Sequence, residues 1–159
     1  MVVSEQPVNQ SVDIRLATRA DVQVLVTLVA QYWRFEAIER FEAADMTGLL
    51  ETLIAQPALG RAWLASVDGA PAGYLLAVYV FSLEHKGITA EIDEFFVLPQ
   101  HRRLGLGRRL LSQAEALFRE NGCTNVSLQI GRDNAAARTF YRGHGYSDRA
   151  GFELVDKML

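Results

Sequence analysis

The stretch from Arg61 to Pro99 limits the possible folds more than any other part of the chain. It holds three strand-like runs, "RAWLASV", "PAGYLLAVYV" and "ITAEIDEFFVLP", parted by Asp68-Gly69 and by a polar tip from Ser82 to Gly87. Asp-Gly tolerates the positive φ angles of a primed hairpin turn and is a strong hairpin signal, with a loop lengthened by Ala70 and Pro71 as the alternative. Connections this short join antiparallel strands only, so the run reads as a meander whose third strand is stopped by Pro99. Upstream, residues 12–17 (VDIRLA) alternate as a further strand. Thr18 with Asp21 resembles a capping box ahead of a helix whose face carries Val22, Leu25, Val26, Val29 and Trp33. An elbow with four acids (Glu36, Glu39, Glu42, Asp45) against Arg40 then precedes a second short helix stopped by Pro57.

After Pro99 the pattern changes period. From Leu106, apolar residues recur at 110, 111, 114, 117 and 118, which predicts a helix closed by Asn121-Gly122. "TNVSLQI" predicts a strand, "DNAAARTFYRGHG" a short helix ended by glycines, and "GFELVDKML" a final strand. A meander followed by alternating strands and helices implies an α+β fold (α/β by looser naming): a mixed, mostly antiparallel twisted sheet with helices on both faces. At 159 residues and 50% hydrophobic composition, one domain over residues 12–159 is expected, with residues 1–11 as a flexible tail. With 16 basic and 19 acidic residues the net charge is −3, which argues against nucleic-acid and membrane-surface partners. One cysteine, Cys123, rules out an intrachain disulfide, and three histidines without ligand spacing point to no metal; a reducing, cytoplasmic setting is expected. The polar start lacks a secretory pattern and no apolar run is long enough to span a bilayer.

"QHRRLGLGRRLL" (Gln100 to Leu111) places two glycines between a strand and a helix N-terminus, where backbone N–H groups and the helix dipole favour an anion. A dinucleotide-binding loop would need a third glycine at Leu110, and a P-loop a Lys-Ser/Thr pair where Arg108-Arg109 stands. An ordinary strand-to-helix turn with solvated arginines is the remaining alternative for this loop by itself.

Taken with "NAAARTFYRGHGY" (Asn134 to Tyr146), "RRLGLG" (Arg102 to Gly107) resembles the GNAT superfamily of acyl-CoA-dependent N-acyltransferases. The first stretch is similar to that family's Gln/Arg-x-x-Gly-x-Gly/Ala loop, and the second to its Asn-x-x-Ala-x-x-Phe-Tyr-x-x-x-Gly-Phe/Tyr helix. "EIDEFFVLP" resembles its central strand. The resemblance implies acetyl-CoA as cosubstrate, its pyrophosphate wrapped by Arg102, Arg103, Leu104, Gly105, Leu106, Gly107 and Arg108, mostly through backbone N–H groups. It further implies that Phe95 and Val97 pair with the pantetheine arm like an added strand, where a β-bulge near Asp93 to Phe95 splays the central strand from the next. Asn134 would bond the pantetheine, and Arg142 a phosphate at the nucleotide end.

Acyl transfer needs a neutral amine, and holding a lysine-like ammonium of pKa roughly 10.4 deprotonated at pH 7 costs about 4.6 kcal/mol. A positioned base recovers part of this. Asp93 and Glu94, beside the expected bulge, are the candidates, with Glu91 one alternation step earlier. Asp93 is preferred, and a solvated strand face or simple cation binding is the alternative. By the resemblance, Tyr141 protonates the departing thiolate, while Phe140 packs. The amine attacks directly, with a backbone N–H of the central strand, Val97's in this reading, polarising the thioester carbonyl. Cys123 has no activating neighbour in sequence and reads as a packed residue. Tyr32 and Trp33, with Glu36 of the acidic elbow, are expected as walls of the acceptor pocket. The acidic residues favour a small cationic amine: a polyamine, diamine or amino sugar. A protein lysine or N-terminal acetyltransferase and a non-catalytic acyl-CoA sensor stay open, as does a homodimer.

Overall fold

The computed structural model describes residues 10–159; most of the expected N-terminal tail, residues 1–9, lies outside the described residues. Two compact units emerge, one running to Leu128 and one from Gln129 to Leu159.

The first unit is a five-stranded sheet in the order β1 (Val12–Leu16), β2 (Gly60–Val67), β3 (Ala70–Ser82), β4 (Gly87–Val97), β5 (Asn125–Leu128). The first four pair antiparallel and β5 joins β4 in parallel, giving the mixed sheet that the meander followed by a helix-linked strand implies. The hairpin takes the tight form that Asp-Gly signals, not the longer alternative. Asp68 and Gly69, at φ 50 and 79, make the whole turn, and Val67 pairs with Ala70 directly. Two positive-φ residues match the twist of the flanking strands, so no longer loop is needed. Pro71 is instead absorbed into β3 next to a register shift at Ala65/Ser66. Asp68 also pins the start of the described chain, its N–H donating to the Ser11 carbonyl and its Oδ1 accepting from Ser11 N, each at 2.8 Å.

Helices cover both faces of this sheet. α1 (Val22–Phe35), which follows a short 3₁₀ turn, and α2 (Ala43–Ala55) bury Leu25, Val29 and Leu53 against Leu64, Tyr74 and Phe96. On the opposite face α3 (Leu106–Glu120) buries Leu106, Leu110, Leu111, Ala114 and Phe118, five of its six stripe residues. There the Phe118 ring meets Trp63 edge-on at 5.5 Å. Leu64 and Trp63 are adjacent in β2 and point to opposite faces, as a strand's two-residue period requires. Gly122, at φ 74, ends α3 as expected.

In the second unit α4 (Ala135–Arg142) is the one regular element among the described residues. The final strand expected over 151–159 does not form. Phe152, Leu154, Val155 and Met158 are all largely exposed there. Strand propensity needs a neighbouring strand and a face to bury, and the alternation alone supplies neither.

Candidate active site

The bulge comes first, because it aims everything else. In the β3–β4 ladder Leu76 pairs with Glu94 and Ala77 with Ile92, so Asp93 is the extra residue with no opposite number. Residues on either side of it therefore keep separate faces. Glu94 and Phe96 share the α1 side, and Ile92 pairs with Ala77 outside that cluster. The bulge sits within the three residues, Asp93 to Phe95, where the family resemblance implies one.

Immediately past the bulge, the parallel ladder with β5 ends at the pair Ile92 and Leu128. Leu98 N–H donates to the Ala72 carbonyl at 2.9 Å, so by alternation Phe96 faces β3 with its main chain while Phe95 and Val97 face away from it. That is the side on which β5 has stopped.

Glu94 stands at the centre of the α1 side. Its Oε1 accepts from Trp33 Nε1 and its Oε2 from the Tyr74 hydroxyl, each at 2.6 Å. Burial pushes this carboxyl up, the Tyr74 and Trp33 hydrogen bonds pull it down, and Asp93 pushes it up further. Asp93 itself is raised by partial burial and by Glu91. Its side chain is nevertheless solvent-accessible, and no donor among the described residues is within hydrogen-bond range of it. Tyr32 completes the wall, edge-on to Tyr74 at 6.4 Å and tilted against Phe96 at 5.7 Å. Its phenol is pushed up to about 12 by burial and by the charges of Glu36, Glu94 and Asp93. Trp33, Tyr32, Glu36, Glu91, Asp93 and Glu94 are thus gathered in one neighbourhood. Tyr74 is the participant that the sequence did not single out. Its signal was one of two phenols, with Tyr79, in a mostly apolar strand.

At the other end of β4, a short 3₁₀ turn (Pro99–His101) leads into the glycine loop. Arg103 and Gly105 adopt positive φ, 62 and 77, and the first helical bond of α3 is donated by Arg109 N to Gly105 O at 3.1 Å. The N–H groups of Leu106, Gly107 and Arg108 ahead of it have no helical acceptor. A Cβ placed on Gly105 would meet nothing within 4 Å, so this backbone is approachable. The Nδ1 of His101 is buried without a hydrogen-bond partner. Arg102 is placed differently from a phosphate ligand. Its Nε donates to the Val97 carbonyl at 2.8 Å and its guanidinium lies 4.7 Å from the centre of the Phe35 ring, tying the loop to the strand.

Within the second unit, Asn134 caps α4, its Oδ1 accepting from Ala137 N at 3.0 Å, which leaves its amide hydrogens as the donors it could offer a ligand. Arg142 is paired with Asp148, which also binds Arg138 at 3.2 Å. Tyr141 is buried, with Tyr146 and Phe140 packed edge-on at 5.3 and 5.2 Å. Phe140, expected to be the packed member of the pair, is the more accessible of the two. Burial pushes the Cys123 thiol up, away from a reactive thiolate.

A bulged central strand, a strand ladder that stops beside it and an approachable N–H loop ahead of a helix define a nucleotide-thioester-dependent acyltransferase. The sequence matches the Acetyltransferase (GNAT) family over residues 26–146. It is 29% identical over 142 residues to the uncharacterized N-acetyltransferase YhfO of Bacillus subtilis (strain 168), covering 88% of this chain and 93% of the relative. Among solved structures, an integron cassette protein from the mobile metagenome of Cole Harbour Salt Marsh aligns with a TM-score of 0.81 at 27% identity, covering 92% of this chain and 90% of the other. An aminoglycoside N-acetyltransferase, AAC(6')-Iy in complex with CoA, aligns with a TM-score of 0.83 at 16% identity over 98% and 100% of the two chains. The chain belongs to the GNAT family of acetyltransferases.

It is an acetyl-CoA-dependent N-acetyltransferase. The residues present fit that cosubstrate: unshared N–H groups at the start of α3, open space beside Gly105 and an unsatisfied ring nitrogen on His101 are what a polyanionic group would use. When bound, acetyl-CoA supplies an activated acyl group on a thiol leaving group.

Proposed function

We propose that the acceptor is a primary amine on a small cationic molecule, a polyamine, diamine or amino sugar, and that it attacks the thioester directly. The observation that carries this reading is the carboxylate neighbourhood at the bulge, where Glu91 acts on Asp93, Asp93 acts on Glu94, and Asp93, Glu94 and Glu36 act on Tyr32. Two partly desolvated acids, Asp93 and Glu94, beside aromatic walls favour a cation over a neutral acceptor. In this reading Asp93 removes the amine proton, the nitrogen lone pair forms the new C–N bond, and the C–S bond breaks. Tyr141 gives its proton to the departing thiolate, while the Val97 N–H polarises the carbonyl oxygen. Phe95 with Val97 aligns the pantetheine arm and Asn134 bonds it, and the loop from Arg102 to Arg108 carries the pyrophosphate. Arg142, whose Nη2 is paired with Asp148, would offer its remaining N–H groups to a phosphate. The raised thiol of Cys123 supports transfer without an acyl-enzyme.

This requires the two units to serve one reaction, so residues 12–159 work as a single domain. A cytoplasmic setting rests on the single cysteine, and a homodimer on the family resemblance. The test is thiol release from acetyl-CoA across polyamines, amino sugars, amino acids and basic peptides, using wild type, Asp93→Asn and Tyr141→Phe. Release with the small cationic amines, reduced by about 10²-fold or more in each variant, is the expected result. Release with basic peptides alone would move the acceptor to proteins. Acetyl-CoA binding with no release from any amine would leave a sensor.

A further inference from the structure

The two neighbouring carboxylates at the bulge differ in their hydrogen bonds. Glu94 receives two short donors from two different walls, the Trp33 indole of α1 and the Tyr74 phenol of β3, one on each oxygen. Asp93, the next residue, receives none from the described residues. Donors to an ionised carboxylate stabilise the charged form and hold its plane, so they direct a proton toward whichever partner lacks them. Tyr74 is suited to this task. It is fully buried, its phenol is pushed far above the ordinary tyrosine range by burial and by Glu94, and it therefore stays a donor throughout the working pH range.

We infer that Tyr74 and Trp33 are positioning residues of the acetyl transfer: they keep Glu94 as a fixed anion that anchors the acceptor's ammonium, and thereby leave Asp93 as the proton acceptor. This rests on the reading of Asp93 and Glu94 as the acceptor-side acids. The groups that bear on Glu94 come from three elements: Asp93 beside it on β4, itself raised by Glu91; Tyr74 from β3; and Trp33 and Tyr32 from α1, Tyr32 in turn feeling Glu36. None of the groups so named is a cation, so without the two donors burial and Asp93 act unopposed and Glu94 takes up a proton at higher pH.

Tyr74→Phe removes one oxygen and keeps the ring against Tyr32, and Trp33→Phe removes the other donor from the opposite wall. The wild type and both variants are titrated by carbon NMR of glutamate labelled at the carboxyl carbon, with Glu94 assigned by Glu94→Gln. The Glu94 pKa is expected to move up in each variant. In parallel, Tyr74→Phe is expected to lower kcat/KM for the amine by roughly tenfold at pH 7. That loss should lie mainly in KM and shrink as the pH rises and Glu94 regains its charge. An unmoved Glu94 titration in a folded Tyr74→Phe protein, or a loss of kcat/KM equal at every pH, would overturn the inference. The titration needs no turnover, so it distinguishes this outcome from failure of the acceptor-side reading, which would show as a raised Glu94 pKa with unchanged amine kinetics and would overturn the kinetic half of the inference.

Discussion

Asp21 shows how one residue can be read correctly in sequence and still mean more in the structure. As the expected capping-box acid, its Oδ2 accepts from Thr18 N at 2.7 Å, and it then takes both arms of the Arg15 guanidinium at 2.7 and 2.8 Å. The pairing with β1 was not visible from spacing, because Arg15 meets Asp21 only once the strand and the turn are folded together. Arg15 holds this buried carboxyl well below the usual carboxylate range. The group binds a proton more readily unfolded than folded, so its stabilisation is complete above the unfolded pKa near 3.9 and is lost as the pH falls through the lower folded value. Asp21→Asn is expected to cost about 2 kcal/mol at pH 7, a figure kept modest because Arg15 is half exposed. Urea denaturation between pH 7 and pH 2 checks it: the difference between variant and wild type should narrow at the acid end. Tyr74 is the opposite case, a residue whose role was illegible until Leu76 was seen to pair with Glu94.

At the scale of elements, β4 carries the function through an irregularity. Removing Asp93 would let Ile92 and Glu94 become adjacent strand residues opposite Ala77 and Leu76, each still on its own face. Deletion of Asp93 is therefore expected to leave the melting temperature at or above that of wild type, while acetyl-CoA binding weakens because the strand no longer bends away where β5 ends. Asp93→Ala keeps the bulge and should retain acetyl-CoA affinity while losing turnover. Calorimetric titration of both variants with acetyl-CoA separates the two effects, and equal affinity in both would show that the bulge does not shape the cosubstrate site. The positions of the helices were legible, since the stripe from Leu106 to Phe118 and the stop at Gly122 follow from period and cap chemistry that act within a few residues, but which of Phe140 and Tyr141 α4 buries was not. The segment 151–159 was not, because an alternating pattern states only which side chains would share a face if a partner strand were present.

For the whole molecule, a cosubstrate that binds only the folded chain must stabilise it by mass action. Acetyl-CoA at one hundred times its dissociation constant is worth about 2.7 kcal/mol, or roughly 5–10 °C in melting temperature for a chain of this length. Thermal unfolding with and without acetyl-CoA measures it, and no shift at millimolar concentration would count against the loop from Arg102 to Arg108 as its binding site. By itself, the sequence determined the order of strands and helices through α4, the meander around Asp68-Gly69 and the glycine loop ahead of α3. These follow from turn chemistry, capping and periodicity, which are properties of short stretches of chain. Only the tertiary structure decided that Arg102 ties loop to strand, that Asp148 holds Arg142 and that Glu94 receives the donors while Asp93 does not. Each of those depends on how the folded chain brings particular groups together, across only 5 and 6 residues for Arg102–Val97 and Arg142–Asp148 but 61 for Trp33 and Glu94, and no periodicity or cap pattern encodes such a meeting.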